Sequence, residues 1–144
     1  MNDKGPYVAV AVICERVLHE TDGGISCIRL TDTIALEVAS DDAPSLFPVI
    51  YQGMALVSFR SGDYVGPMTL RIEFRNPSGK EGKPPQEHLL QFQGGEHGTN
   101  LIIRLNLQLD EEGLYYLDLF LADHLKTRIP LRVRVTRKDI QPKN

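Results

Sequence analysis

The chain has 144 residues, 42 % of them hydrophobic, 24 % charged and 7 % aromatic with no tryptophan, and its formal net charge is −3. That length can bury a core without covalent staples, and the composition is that of an ordinary globular protein. The small net charge gives no field that would gather nucleic acid, and no apolar run approaches the roughly 20 residues of a membrane helix.

The opening stretch MNDKGPYVAVAVICERV carries one lysine and a seven-residue apolar run, continued by Glu15 and Arg16 with no small-residue cleavage site. It reads as a strand and not as a secretory leader, so the expected location is cytoplasmic. Strands are expected near 7–19, 25–38, 49–60, 68–75, 87–93, 100–109, 114–121 and 126–136. The first two exceed the usual strand length, so each should contain a bend or bulge. Met68, Leu70, Ile72 and Phe74 alternate with Thr69, Arg71, Glu73 and Arg75. The same period of two recurs at Leu101 to Leu109, Tyr115 to Leu121 and Ile129 to Val135, and side chains two apart share one face of a strand. No segment shows a helical stripe. Gly23-Gly24, Gly62-Asp63, Gly66-Pro67, Asn76-Pro77-Ser78-Gly79, Gly94-Gly95 and Glu112-Gly113 punctuate the runs. Pro77–Gln86 and Asp41-Asp42-Ala43-Pro44 are the expected mobile loops.

The whole predicts one domain over 1–144, ordered from about 6 to 137 with a short polar C-terminal tail: an all-β, antiparallel sandwich of about eight strands.

Two cysteines, Cys14 and Cys27, flank the turn Thr21-Asp22-Gly23-Gly24. A hairpin about that turn sets Cys14 opposite a residue near 31 and Cys27 opposite one near 18. That offset of about four residues, at roughly 3.3 Å each, exceeds the reach of a disulfide, so two buried reduced thiols are expected. A three-residue loop at Ala122-Asp123-His124 would set Leu117 opposite Ile129 and Tyr115 opposite Leu131 inside. Outside, it would pair Asp118 with Arg128, Tyr116 with Pro130 and Phe120 with Lys126.

Catalytic and metal signals are weak. His19, His88, His97 and His124 lack ligand spacing, and no nucleophile elbow is present. Gly94-Gly95-Glu96-His97-Gly98 leads into a strand and not a helix, so it reads as a turn and not a phosphate loop. The acidic residues at Asp41-Asp42 and Asp110-Glu111-Glu112 lack the repeated spacing of a calcium loop and read as solvated turns. No cofactor is expected.

Two features remain. Arg128, Arg132 and Arg134 line the outward face of the last strand near Lys126, as an anion-binding row or as a charged edge that discourages aggregation; Pro130 favours the edge. Tyr116 and Phe120 point outward beside Pro130, which is the composition of a protein contact unless a loop of the same chain covers them. The expected function is therefore a non-enzymatic interaction or structural module that binds a protein or itself, with an anion-binding module as the alternative.

The stretch EEGLYYLDLFL, with Glu111, Gly113 and Tyr115, resembles the tyrosine corner of immunoglobulin-like sandwiches. The resemblance implies that 100–109 and 114–121 lie in opposite sheets. The immunoglobulin cysteine–tryptophan pattern is absent. VICERVLHETDGGISCIRLTDTIAL and GLYYLDLFLADHLKTRIPLRV together are similar to small bacterial proteins of a domain-of-unknown-function family. That likeness implies a bacterial β-sandwich and brings no activity, cofactor or site residue.

Overall fold

The structure is a computed structural model, and it describes residues 5–39, 46–79 and 83–138. Nine strands follow one another: β1 (Tyr7–His19), β2 (Ile25–Leu30), β3 (Thr33–Ala39), β4 (Val49–Arg60), β5 (Val65–Arg75), β6 (Gln86–Gln93), β7 (Gly98–Leu109), β8 (Gly113–Leu121) and β9 (His124–Lys138). They form two sheets, ordered β2-β1-β4-β7 and β3-β9-β8-β5-β6. The expected loop Asp41–Pro44 lies outside the described residues.

The alternating residues meet where expected. Ile13, Ala55, Val57, Phe59, Ile103, Leu105, Leu107 and Leu109 face Leu70, Ile72, Leu90, Phe92, Tyr115, Leu117, Leu119, Leu121, Ile129, Leu131 and Val133 across the sandwich. Phe59 and Phe92 meet edge to face at 6.0 Å, and Phe74 stacks on Tyr115 at 5.4 Å. With β1, β4 and β7 in one sheet and β5, β8 and β9 in the other, the arrangement is an immunoglobulin-like sandwich.

The tyrosine corner sits at its crossing. The Tyr115 hydroxyl donates to the Glu111 carbonyl at 2.6 Å and accepts from the Glu111 amide at 3.1 Å, just where the chain passes from β7 in one sheet to β8 in the other. Burial raises the pKa of that phenol, which keeps its proton on the donating side. The acidic residues beside it serve the same corner. Glu111 Oε1 accepts from the Ser78 amide at 2.8 Å, and Glu112 Oε1 from the Val135 amide at 2.9 Å. The glycine turn before β7 is a turn: Gly94, Gly95 and Glu96 all have positive φ, and His97 O accepts from Ser61.

Three expectations need correction. The run 25–38 is two strands and not one bent strand. It breaks at Thr31-Asp32, and β3 crosses to the other sheet to pair with β9 in parallel, so the sandwich is not wholly antiparallel. The break shows no glycine or proline; it is held by Thr31 N donating to Ile13 O and by Arg132 N donating to Asp32 O, one bond to each sheet. The β8–β9 loop has two residues and not three, because Ala122 and Asp123 both take positive φ, the backbone of a tight hairpin turn. Pairing therefore slips after Leu119, and Phe120 faces Leu125 instead of Lys126, while Leu117–Ile129, Tyr115–Leu131, Tyr116–Pro130 and Asp118–Arg128 hold. Gly66-Pro67 is not a break either, since β5 begins at Val65; Pro67 lies where β5 pairs with β6 alone.

Both cysteines are free, Cys14 buried and Cys27 only half-buried. Cys14 faces Leu30 and Cys27 faces Val17, close to the expected register. Between these two pairs β2 leaves regular strand geometry at Arg29, whose φ is 57°. Burial first, then the charge and hydrogen bond of Cys27, push the Cys14 thiol up to about 11.

Two outcomes follow. Tyr115→Phe removes both hydroxyl bonds and should cost about 1–3 kcal/mol in denaturant unfolding with native sheet content retained; an unchanged midpoint would deny the corner its role. In native protein at pH 8, where a raised pKa leaves less thiolate, iodoacetamide should modify Cys27 first and Cys14 about a hundredfold more slowly than an ordinary thiol. Mass spectrometry of timed samples reads this, and equal rates would contradict it.

Candidate functional site

The outer face of the five-stranded sheet follows from the parity of β8. With Tyr115 turned inward at the corner, Tyr116, Asp118 and Phe120 must turn outward. On one flank β5 sets Arg71 opposite Phe120, Glu73 opposite Asp118 and Arg75 opposite Tyr116. On the other, β9 sets Arg128 opposite Asp118, Pro130 opposite Tyr116 and Arg132 opposite Leu114.

Asp118 lies on the outer face, as alternation sets it, yet it has 0 % exposure. Its Oδ1 accepts from Arg128 Nε at 3.0 Å, and its Oδ2 lies 2.7 Å from Arg75 Nε as an ion pair without the alignment of a hydrogen bond. The stems of two arginines thus close over a carboxylate that alternation placed outside. The same arginines explain the aromatics. Tyr116 and Phe120 are each half-buried and not open, because the Arg128 guanidinium lies 5.5 Å from the Tyr116 ring and that of Arg71 4.4 Å from the Phe120 ring. Arg71 is also held by Asp123 at 2.5 Å and Glu73 at 3.5 Å.

An open pocket of about 520 Å³ forms where this face meets the chain between β5 and β6. Tyr116, Leu114, Arg75 and Arg128 line it from the sheet, and Pro77, Lys83, Pro84 and Pro85 from the connection. Lys83 Nζ also donates to the Asn106 carbonyl on β7, which ties the connection to the other sheet. Among the described residues the lining holds no serine, cysteine or histidine, and Glu73 is its one acid. Among the described residues, no three His, Cys, Asp or Glu side chains converge as metal ligands.

The structure therefore brings together Tyr116, Arg128 and Pro130, and separates the other candidates. Phe120 belongs to its own cluster under Arg71. Arg132 and Arg134 are exposed and continue the row beyond the pocket, opposite Thr33 and Ala35 of β3. Hence β9 is an edge only over its first half, where Pro130 lies; from Arg132 onward β3 pairs with it. Sequence reasoning missed Arg75, Lys83 and Leu114 as members of the site. The outward alternation of Arg71 and Arg75 was visible, but their place beside Tyr116 depends on the β5–β8 pairing of segments far apart in the chain.

Several solved structures are similar to the chain at low identity. The CARDB domain of a Pyrococcus furiosus protein, in complex with di-metal ions, is 10 % identical with a TM-score of 0.45, over 94 % of this chain and 100 % of that one. An immunoglobulin-like protein from Pseudomonas aeruginosa is 14 % identical with a TM-score of 0.42, over 93 % of this chain and 100 % of that one. Beta-glucosidase 3B from Thermotoga neapolitana, in complex with glucose, is 11 % identical with a TM-score of 0.45, over 61 % of this chain. This chain spans only 16 % of that enzyme's length. No curated protein matches the sequence. A family model matches residues 9–134, nearly the whole sandwich, and the chain belongs to that family, described as "Family of unknown function (DUF6941)".

Proposed function

We propose that the chain is a non-enzymatic interaction module that binds a protein partner, or a second copy of itself, through the outer face of the five-stranded sheet. One observation carries this reading: Tyr116, an aromatic side chain on an outward face, stays half-exposed at the floor of a pocket rimmed by Arg75, Arg128 and Leu114. An aromatic anchor in a depression with arginines about it is the composition that protein contacts favour. Pro130 stands fully outward beside Tyr116, and Arg132 and Arg134 extend the rim. The described lining pairs no nucleophile with a base, which supports binding over catalysis. The net charge of −3 weighs against nucleic acid as the partner. The free thiols of Cys14 and Cys27 suit a reducing compartment such as the cytoplasm.

A photocrosslinking residue at Pro130 should capture one discrete protein in the cells that make this chain, while the same residue at Gln108 on the opposite sheet should not. Light scattering over a tenfold concentration range then separates a second copy, which raises the mass, from a different partner, which leaves a monomer. No adduct from Pro130, or the same adducts from both positions, would overturn the assignment of this face.

A further inference from the structure

Resting on that reading, we propose that the Tyr116 pocket receives a side-chain carboxylate of an acidic peptide segment, gripped by the paired guanidinium groups of Arg75 and Arg128. The geometry of Asp118 carries this. It holds both arginines through Nε, at 2.7 and 3.0 Å, and it is itself fully buried. Among the described residues the terminal nitrogens of neither arginine have a hydrogen-bond partner, and both arginines line the pocket. A guanidinium already fixed at Nε loses less rotamer freedom on binding, and its planar fork matches a carboxylate.

Charge and shape select the ligand. Among the described residues Arg75, Arg128 and Lys83 line the pocket against one acid, Glu73, so this lining attracts an anion although the chain as a whole is acidic. Leu114, Tyr116, Pro77, Pro84 and Pro85 supply an apolar wall on which the side chain next to the acid can pack. A nucleic acid would need a continuous cationic track, whereas this face alternates its arginines with Glu73, Asp118 and Asp123. Asp118 is a positioning residue: it touches the arginines and not the ligand.

The test is a titration of the full chain, by two-dimensional amide NMR, with a glutamate- and leucine-containing decapeptide. Its glutamine counterpart, inorganic polyphosphate and a single-stranded oligonucleotide are run beside it. The acidic peptide should shift resonances of β5, β8 and β9 around Tyr116, and the glutamine peptide should not. The informative variant is Asp118→Asn. It makes the face more positive, so simple attraction would tighten binding; release of the arginine pair should instead weaken it about tenfold, with dispersed native spectra retained. Should Asp118→Asn fail to fold, the double variant Arg75→Lys with Arg128→Lys keeps the charges and the ion pairs but removes the forks, and should show the same loss. Unchanged or tighter binding in these variants overturns the proposal, as does a response to the oligonucleotide or polyphosphate without one to the acidic peptide. A crosslinked protein at Pro130 without any acidic-peptide response would leave the interaction face standing and remove only the carboxylate assignment.

Discussion

The outward face of the molecule is organised by one buried carboxylate shared between two arginines. Asp118 brings together β5, β8 and β9, whose contributing residues lie 43 and 10 positions away in the chain at Arg75 and Arg128. A lone ionised carboxylate with no exposed surface would cost several kcal/mol, and removing one partner from such an arrangement is far more damaging than the pair is stabilising. Both arginines are about half-exposed, which reduces the desolvation cost and the attraction together. The gain is geometric. The arrangement admits one register of β9 on β8, because a one-position slip would set the carboxylate opposite Ile129 instead of Arg128. It also lays the Arg128 guanidinium beside Tyr116, and both arginines line the pocket.

That carboxylate is outside only because the tyrosine corner sets the phase of β8. Anchoring Tyr115 to Glu111 turns it inward onto Phe74, and period two then turns Tyr116, Asp118 and Phe120 to the other side. The corner works at the sandwich scale as well, since β7 and β8 belong to different sheets and the backbone polar groups of the crossing must find partners within it. The Tyr115 hydroxyl serves the Glu111 amide and carbonyl, while the side chains of Glu111 and Glu112 tie the crossing to its neighbours by accepting from the Ser78 and Val135 amides. A run of acids that could be read as an ion site is thus occupied in closing the end of the molecule.

The all-β architecture, the core and most of the last hairpin were legible in the sequence because each rests on local information. Alternation names the inward residues of β5, β7, β8 and β9, and an inward tyrosine two residues after a glycine marks the corner. What escaped was non-local. Nothing at Thr31-Asp32 signals a change of sheet, since the apolar alternation continues across it and the break is made by hydrogen bonds to Ile13 and Arg132, one in each sheet. The parallel pairing of β3 with β9 leaves no turn to recognise. Burial of Asp118 could not be read from an outward position in an alternating strand; it required Arg75, and hence the pairing of β5 with β8. Of the candidate residues, Tyr116, Arg128 and Pro130 were found together because they are partners in one hairpin, whereas Arg75 and Lys83 come from the preceding part of the chain.

The most direct measurement is the arginine Nε–Hε spectrum of the native protein at neutral pH. If Asp118 pins the guanidinium groups, Arg128, whose Nε–H donates to Asp118 Oδ1, gives a resolved Hε signal displaced from the free-arginine position and slow to exchange with water, and it returns to that position in Asp118→Asn. An Arg128 Hε signal that already coincides with free arginine in the unaltered protein would contradict the account.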